Sequence, residues 1–436
     1  MLLIYITENS ERCQYVFELI FKQDFGIEYR VTTDLNVFNT YAQEKINYSN
    51  ARIGDSFFIK ATPLLFEKEI KQQHITVTQI MDSQKEQVKV LFANENCDLG
   101  FDIFSSVFYM VSRYEEYSPF TPDDDGRFKA SDSLAFKNDF LQIPVVNIWS
   151  DILKNRMGEM FPSLGTKNSL FNALLTYDID VAYKFKGRSI VRTLGSIAKD
   201  ILNLRLKNIC QRFITLLNFQ KDPWDTYKYL SEASTSADLK MVFFFLMADK
   251  SANDRNLDYS NPWMKRLIRN VMQHSNIGIH PSYSTTEFPE KIEIEKKRLE
   301  RICGEQIIKS RQHYLKFRLP GTYCSLIAAG ITEEYSMGFS EMPGFRAGTC
   351  KPFYFYDLKK EKVAFLKIFP VTLMESSFME SKTDLEQSLQ QILNLIREVR
   401  KVQGTFVSIW HNHTVSDTSE YKAWKRIHEK MILAVQ

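Results

Sequence analysis

From about residue 170 onward, the chain alternates short apolar runs with segments that have the three- and four-residue apolar spacing of helices. In chain order the apolar runs are LLTYD, MVFFFLM, IGIH, IIKSRQHY, ITEEYSM, VAFLKIFPVT and TFVSIWHNH. Strands and helices in repeated alternation predict a parallel sheet covered by helices. About seven such units favour closure of the sheet into a barrel over an open sheet.

The residues before this alternation have a different pattern. A strand-like LLIYI precedes a helical pattern over residues 11–25, and the segments IGDSFFIK and HITVTQI suit half-exposed strands. The segment FPSLGTKNS, residues 161–169, is rich in Pro, Gly and polar residues and marks a domain boundary. We therefore predict a mixed α/β domain over residues 1–164 and a second domain over residues 165–436.

Composition excludes several classes of protein. A formal charge of +3 over 436 residues does not favour nucleic-acid binding. No run reaches the roughly 18 apolar residues that span a membrane, and the first residues lack the basic leader of a signal peptide. The six cysteines contain no Cys-x-x-Cys pair, which favours a reduced protein without a zinc knuckle. These features predict a cytoplasmic protein.

Polar side chains cluster where the predicted strands of the second domain end. Four of the seven histidines fall there, although any single one could be an ordinary hydrogen-bonded histidine. The strand-end residues are Asp178, Asp180, His280, Arg311, His313, Tyr335, His411 and His413. Because the carboxyl ends of barrel strands converge on one mouth, we expect these side chains to share a cavity.

The pair Asp178 and Asp180 closes the first of these strands. In an extended strand, side chains two residues apart point to the same face, so both carboxylates can reach one cavity. One could bind a divalent cation together with histidines, while the other takes a proton from water. Alternatively, the two carboxylates cap the next helix or pair with Lys184 and Arg188, or they hold the metal diphosphate of a sugar transferase.

The strand-end residues follow one another along the chain in the order Asp-x-Asp, His, Arg, His. In this order the second domain resembles the polysaccharide deacetylases, the NodB-homology group of carbohydrate esterase family four. The first motif of that family corresponds to the segment TYDID, residues 176–180. The resemblance implies that Asp178 is the general base and Asp180 a metal ligand, at a spacing one residue longer than usual. It also implies a distorted (β/α)7 barrel that removes acyl groups, chiefly N-acetyl, from a carbohydrate.

The other motifs agree with the family in part. His280, in HPSYS, corresponds to the first metal histidine, but Ser284 stands where a shorter form of the motif has its second histidine. Our hypothesis is that His313 supplies the missing ligand by pointing to the same face of its strand as Arg311. Arg311 then orients the base, and His411, in the segment IWH, protonates the leaving amine.

The whole chain also resembles a bacterial subgroup in which VSRYEEYSPF, DDDGRF and SLAFK precede a deacetylase domain. This resemblance implies a role in the synthesis of a surface polysaccharide, with a polymeric or lipid-linked substrate and a divalent metal. Zinc is the first choice of metal, with cobalt, nickel and manganese as alternatives. A catalytically silent carbohydrate-binding or scaffold protein is the second hypothesis, motivated by Ser284, and a metal-dependent sugar transferase is the third.

Aromatic and basic side chains near the motifs are candidates for substrate binding. Arg346 could bind a sugar hydroxyl or a phosphate, and the aromatic run FYFY could stack on pyranose rings or fill a core. The candidate substrate-binding residues are Tyr335, Arg346, Tyr354 and Trp410.

Two charged segments complete the sequence prediction. Residues 184–212 carry eight Lys and Arg residues and one Asp, interleaved with apolar residues. This region could contact an anionic membrane peripherally, or it could be a helix that covers the barrel and exposes a basic face. The run Asp123, Asp124 and Asp125 could bind a cation, but Pro122 and Gly126 favour a solvated turn.

Overall fold

The structure is a computed structural model that describes residues 1–82, 85–237 and 239–436. Residues before the predicted boundary contain a four-stranded parallel sheet and a two-stranded antiparallel ribbon. Their strands are β1 (Leu2–Ile6), β2 (Tyr29–Thr32), β3 (Lys45–Ser49), β4 (Phe57–Lys60), β5 (Thr78–Met81) and β6 (Gln87–Val90). The parallel sheet has the order β2-β1-β3-β4, and β5 pairs with β6. This part of the chain is a mixed α/β structure.

Helices pack against these strands. They are α1 (Glu11–Phe17), α2 (Leu35–Thr40), α3 (Ile103–Val111), α4 (Leu134–Lys137) and α5 (Val145–Met160). Side chains cap α1 and α3, because Ser10 accepts from the Cys13 amide and Asp102 from the Ser105 amide. The predicted helix over residues 11–25 continues beyond α1 as a π-helix, Glu18–Asp24.

The rest of the chain forms a nine-stranded sheet that is largely parallel. Its strands are β7 (Asn172–Ile179), β8 (Lys240–Leu246), β9 (Asn276–His280), β10 (Lys309–Ser310), β11 (Glu333–Glu334), β12 (Phe353–Asp357), β13 (Lys362–Ile368), β14 (Leu373–Met374) and β15 (Thr405–His411). The order is β12-β13-β11-β10-β9-β8-β7-β15-β14. Of the described pairings in this sheet, only β12 with β13 is antiparallel.

Helices follow six of these strands, namely β7, β8, β9, β10, β14 and β15. The helices are α6 (Ile190–Leu202), α7 (Leu206–Leu216), α8 (Tyr227–Ala237), α9 (Pro262–Val271), α10 (Glu290–Cys303), α11 (Gly321–Ala328), α12 (Glu375–Glu380), α13 (Leu385–Lys401) and α14 (Lys422–Val435). Asn261 caps α9 and Pro262 occupies its first position, where a missing amide costs nothing. The predicted long helical region after β7 is divided, because Leu204 has a positive φ between α6 and α7.

The nine-stranded sheet is curled so that the strands near its two edges approach each other. β13 pairs with β11 and β14 pairs with β15, although only four residues separate β13 from β14. An inner apolar cluster, distinct from the main core, contains Leu174 of β7, Phe244 of β8 and Val407 of β15 together with Val371. Strands from both sides of the sheet therefore surround one interior.

The alternation along β7 explains where its carboxylates point. Leu174 belongs to the inner cluster, whereas Leu175, Tyr177 and Ile179 belong to the main core outside the sheet. Asp178 lies an even number of residues from Leu174 and therefore faces the interior. Close packing continues on this face, since a Cβ on Gly278 of β9 would come within 2.5 Å of the Phe244 ring. Apolar side chains therefore fill the interior on the amino-terminal side of Asp178, and the interior is open at the carboxyl ends of the strands.

The two parts of the chain share one hydrophobic core. Arg12 of α1 pairs with Glu361, which lies just before β13, and Arg346 pairs with Glu116, with both guanidinium groups nearly fully buried. Tyr15 also donates to the Tyr354 carbonyl. Among the described residues, no helix has both the length and the apolar character needed to cross a membrane.

Candidate functional site

The predicted strand-end residues meet at one end of the curled sheet. Asp178 closes β7, His280 closes β9 and His411 closes β15, and all of these strands run parallel. Together with Asp180 and His313, they line a cavity of about 410 Å³. The carboxyl ends of the strands therefore form one site. His413 also lines the cavity, whereas Arg311 and Tyr335 of the predicted set do not.

Asp180, His280 and His313 form a group that could hold a metal ion. Their ligand atoms all lie within 4.8 Å of one another. Asp180 Oδ1 lies 3.3 Å from His280 Nε2, and Asp180 Oδ2 lies 3.5 Å from His313 Nε2. Two ligands at about 2.1 Å from a tetrahedral ion are roughly 3.4 Å apart, so these spacings suit a divalent cation.

Both histidines are oriented by a second hydrogen bond. His280 Nδ1 donates to the carbonyl oxygen of Arg311 at 2.5 Å, and His313 Nδ1 lies 2.9 Å from Asp254 Oδ1. These partners occupy Nδ1 and leave Nε2 directed at Asp180. Metal-binding histidines are held in this way, because the second bond fixes both the tautomer and the orientation of the ring.

Asp180 has the properties of an anionic ligand. Its Oδ1 atom is buried and has no hydrogen-bond partner among the described residues. Burial acts to raise the pKa of Asp180, but His313, His280 and His411 outweigh it and hold the pKa well below its usual range. An ionised carboxylate with an unpaired buried oxygen is a strong candidate ligand, so the residues present fit a metal.

Asp178 is held by a buried arginine. Arg311 Nη1 donates to Asp178 Oδ1 at 3.1 Å and to Thr176 Oγ1 at 2.6 Å, and Arg311 Nε donates to the Tyr335 carbonyl at 2.9 Å. The guanidinium also lies over the Phe244 ring, 4.7 Å from its centroid. Asp178 Oδ2 lies 3.7 Å from His280 Nε2, so the second oxygen faces the candidate metal site.

His411 stands on the other side of Asp180. Its Nε2 atom lies 3.5 Å from Asp180 Oδ2, and its Nδ1 atom lies 2.7 Å from Glu375 Oε1. Burial acts to lower the pKa of His411, but Glu375 and then Asp180 overcome it and raise the pKa to about 10. The neighbouring carboxylates therefore favour the protonated form of His411, which has a proton to donate.

His313 reaches the site in a different way from the one predicted. β10 ends at Ser310, and His313 begins a 3₁₀ turn, His313–Leu315, instead of continuing the strand beyond Arg311. The contact with Asp254, in the loop between β8 and α9, directs the ring toward Asp180. Burial lowers the pKa of His313, but Asp180 and Asp254 raise it to about 9 overall.

Several residues of the site carry no recognisable sequence signal. Glu375 lies at the start of α12 and also accepts from the His411 amide, and Asp254 lies in a polar loop. Asp125 and Arg127 line the same cavity from the first part of the chain. Asp123 Oδ1 accepts from the amides of Asp125 and Arg127, so the acidic run forms a turn, as predicted. That this turn reaches the cavity was not predicted.

The residues predicted to bind substrate do not line this cavity. Arg346 is 2% exposed and its guanidinium is engaged by Glu116 and the Gly338 carbonyl, so it has no free surface for a sugar. Tyr335 is buried and stacks on Phe369.

The other two candidates are placed similarly. Trp410 is fully buried beside His428, because the even-numbered residues Phe406 and Trp410 of β15 face the main core. Tyr354, on the edge strand β12, stacks on Phe365. Tyr335, Arg346 and Trp410 therefore contribute to packing, which corrects the prediction that they contact substrate. Tyr354 is half-buried on an edge strand, and substrate contact by this residue stays a prediction.

Comparisons with known proteins add the following similarities. Residues 2–162 match DUF7033, a family of unknown function. No curated protein matches the chain.

Three solved structures are similar to part of the chain. A protein assigned as a polysaccharide deacetylase from Mycobacterium smegmatis has 12% identity and a TM-score of 0.39, over 61% of this chain and 85% of that one. The polysaccharide deacetylase Bc1974 from Bacillus cereus has 12% identity and a TM-score of 0.30, over 61% and 88%. A CE4 family pseudoenzyme from Bacillus anthracis has 9% identity and a TM-score of 0.30, over 62% and 61%.

Proposed function

We propose that the chain is a metal-dependent hydrolase that removes acyl groups, chiefly N-acetyl, from a carbohydrate. The observation that carries the proposal is the grouping of Asp180, His280 and His313 around one point, with Asp178 and His411 beside it. A metal group, a buried carboxylate and an imidazolium are the parts that hydrolysis of an amide or ester requires.

The side chains divide the proton transfers between them. Asp178, held by Arg311, accepts the proton of the water that attacks the acyl carbonyl. His411, held by Glu375, donates a proton to the departing amine or alcohol. Asp180, His280 and His313 would hold a divalent cation, whose chemistry there would be to lower the pKa of water and to polarise a carbonyl. Zinc suits two imidazoles and a carboxylate, with cobalt, nickel or manganese as alternatives.

The proposal also covers the fold of the chain and the class of its substrate. The curled sheet and its inner apolar cluster support a distorted (β/α)7 barrel over residues 165–436, preceded by a domain over residues 1–164 that has its own parallel sheet. The resemblance of the motifs supports a substrate that is a surface polysaccharide or its lipid-linked precursor. The position of His313 supports catalysis over a silent binding protein, because this histidine could serve as a third ligand despite Ser284.

The first experiment is elemental analysis of the purified protein beside three variants. We expect about one equivalent of metal in the wild type, and little in His280→Ala and His313→Ala, because two ligands hold a cation poorly. His274→Ala is the matched control, since His274 is exposed on the surface, and it should keep the metal. Acetate release from acetylated oligosaccharides should then follow metal content.

Two results would contradict the proposal. A wild type that stays empty after incubation with zinc, cobalt, nickel and manganese would favour the silent carbohydrate-binding protein. Release of sugar from nucleotide sugars, without acetate release from any acetylated substrate, would favour the metal-dependent transferase.

A further inference from the structure

Helices α6 and α7, here called the α6–α7 hairpin, expose their apolar faces to solvent. On α6 the apolar side chains recur at three- and four-residue spacing and so share one face. Those more than half exposed are Ile190, Val191, Leu194, Ile201 and Leu202. The apolar stripe of α7 is exposed as well, with Leu206 at 65% and Phe213 at 51%.

The side of each helix that is buried is polar. The buried residues are Asp200 on α6, and Arg212 and Thr215 on α7. Arg212 Nη2 lies 2.8 Å from Asp200 Oδ2, and this ion pair joins the two helices. A helix on the surface of a globular protein ordinarily buries its apolar stripe. The hairpin has the opposite arrangement, which indicates an apolar environment outside it.

Charge selects between the possible occupants of this face. Exposed Arg192, Lys199, Arg205 and Lys207 surround the apolar stripes. The acidic residue within residues 184–212, Asp200, is already paired with Arg212. A second copy of the hairpin would bring like charges together, whereas an anionic lipid surface would complement them. Apolar side chains bordered by basic ones are typical of helices that lie in the membrane interface.

The hairpin is anchored at the end of the sheet that carries the candidate site. The chain leaves β7 beside Asp180 and enters α6 ten residues later. Asp222 accepts from the backbone amides of residues 184–186, and Asn412, next to His411, donates to the Val181 carbonyl at 3.2 Å. A surface bound by the hairpin would therefore lie at the end of the molecule where the cavity is.

From these observations we propose that the α6–α7 hairpin binds an anionic lipid surface. The apolar stripes enter the interface, and the basic residues contact lipid headgroups. The protein therefore binds membranes peripherally, with its cavity end toward the lipid. This proposal is independent of the proposed function, because it rests on exposed residues outside the site.

Co-sedimentation of the full chain with vesicles tests the proposal. We expect binding to vesicles of equal parts phosphatidylglycerol and phosphatidylcholine, weakening as salt is added, and little binding to phosphatidylcholine alone. The triple variant Leu202→Ser/Leu206→Ser/Phe213→Ser should raise the apparent Kd about tenfold or more. The variant Lys199→Glu/Lys207→Glu should bind weakly at low salt. Phe365→Ser is the matched control, since Phe365 is 73% exposed on β13, and it should bind as the wild type does.

Circular dichroism and urea unfolding should give the same result for all variants, since the changed side chains are exposed. A wild type that fails to bind phosphatidylglycerol vesicles would overturn the proposal. So would hairpin variants that bind as tightly as the wild type. Sedimentation velocity that finds a dimer, dissociated by the triple variant, would identify a second copy as the occupant and would also overturn it.

Discussion

At the scale of single residues, three side chains of the site each have a dedicated polar partner. Arg311 holds Asp178, Glu375 holds His411 and Asp254 holds His313. A buried charge without a partner would cost several kcal/mol, so these partners stabilise the buried polar side chains of the site. Pairing also fixes the side chains in place before a substrate arrives, which is the condition for efficient proton transfer.

Glu295 is a buried carboxyl without such an ion pair, and it should make stability depend on pH. Burial raises its pKa to about 7, although the Ser282 amide donates to it at 2.8 Å. A carboxyl with a raised folded pKa favours folding while it is neutral. That contribution is lost as the pH rises from the unfolded pKa, about 4.3, through about 7. Replacing Glu295 with Gln should therefore stabilise the folded protein increasingly across this range, by about 3–4 kcal/mol at its upper end.

The measurement is urea unfolding of wild type and Glu295→Gln at several pH values. The difference in free energy of unfolding between them should grow as the pH rises and level off above about pH 8. Glu290→Gln, exposed on the same helix, is the control and should give a nearly constant difference. A constant difference for Glu295→Gln would contradict the assignment.

The sequence predicted site residues whose position follows from a strand pattern. Asp178, Asp180, His280 and His411 each end an apolar run, so their convergence follows from the parallel sheet. Glu375 could not be predicted, because it follows a two-residue strand that has no apolar pattern of its own. Its role depends on pairing with β15, which is 30 residues further along the chain and leaves no local signal.

At the scale of elements, the loop between β8 and α9 positions a candidate ligand that it does not contain. Asp254 contacts His313, 59 residues away in the sequence, and also accepts from the Tyr283 amide at 3.0 Å. Asp254→Asn should keep the shape but weaken the orientation of the ring, and we expect metal affinity to fall about 10- to 100-fold. Competition with a chelator measures this affinity.

Asp249 provides a control from the same loop. It is exposed and pairs with Arg298, so Asp249→Asn should leave the metal affinity unchanged. Equal affinities for wild type and Asp254→Asn would remove the proposed role of the loop. The sequence suggested His313 through strand alternation, but the 3₁₀ turn and this long-range contact are what place it.

At the scale of the whole molecule, the first part of the chain completes the cavity. Arg127 donates to the Tyr314 carbonyl at 2.7 Å, and its ion pairs with Asp123 and Asp125 hold it there. Tyr314 has a positive φ and directly follows His313. Removing this support should displace the cavity wall, and we expect Arg127→Ala to lower kcat/KM for acetate release about 10- to 100-fold, with metal content retained.

Arg52 supplies the comparison for this experiment. It belongs to the same part of the chain but is largely exposed and pairs with Asp98. Arg52→Ala should leave kcat/KM unchanged. Unaltered kinetics in Arg127→Ala would mean that the first part of the chain only covers the site. This contact could not be predicted from the sequence, because the composition of a turn does not show which distant segment of the chain it meets.

The buried ion pair between the two parts should make them unfold together. Arg346 donates two hydrogen bonds to Glu116, of 2.8 and 2.7 Å. Neighbouring Arg113 also pairs with Glu116. Burial acts to raise the pKa of Glu116, but the two arginines lower it to about 2. Arg346→Ala removes a buried partner and leaves a cavity beside Phe317. We expect the free energy of unfolding to fall by about 3–5 kcal/mol.

Urea unfolding followed by tryptophan fluorescence measures this loss, because Trp149 and Trp410 are buried in the two parts. Arg156→Ala is the control, since Arg156 and its partner Glu159 are about half exposed, and it should change stability by less than about 0.5 kcal/mol. One shared transition that moves to lower urea in Arg346→Ala would establish that the parts stabilise each other. Two transitions, with only one of them moved, would instead mean that the parts fold separately and that the ion pair is local.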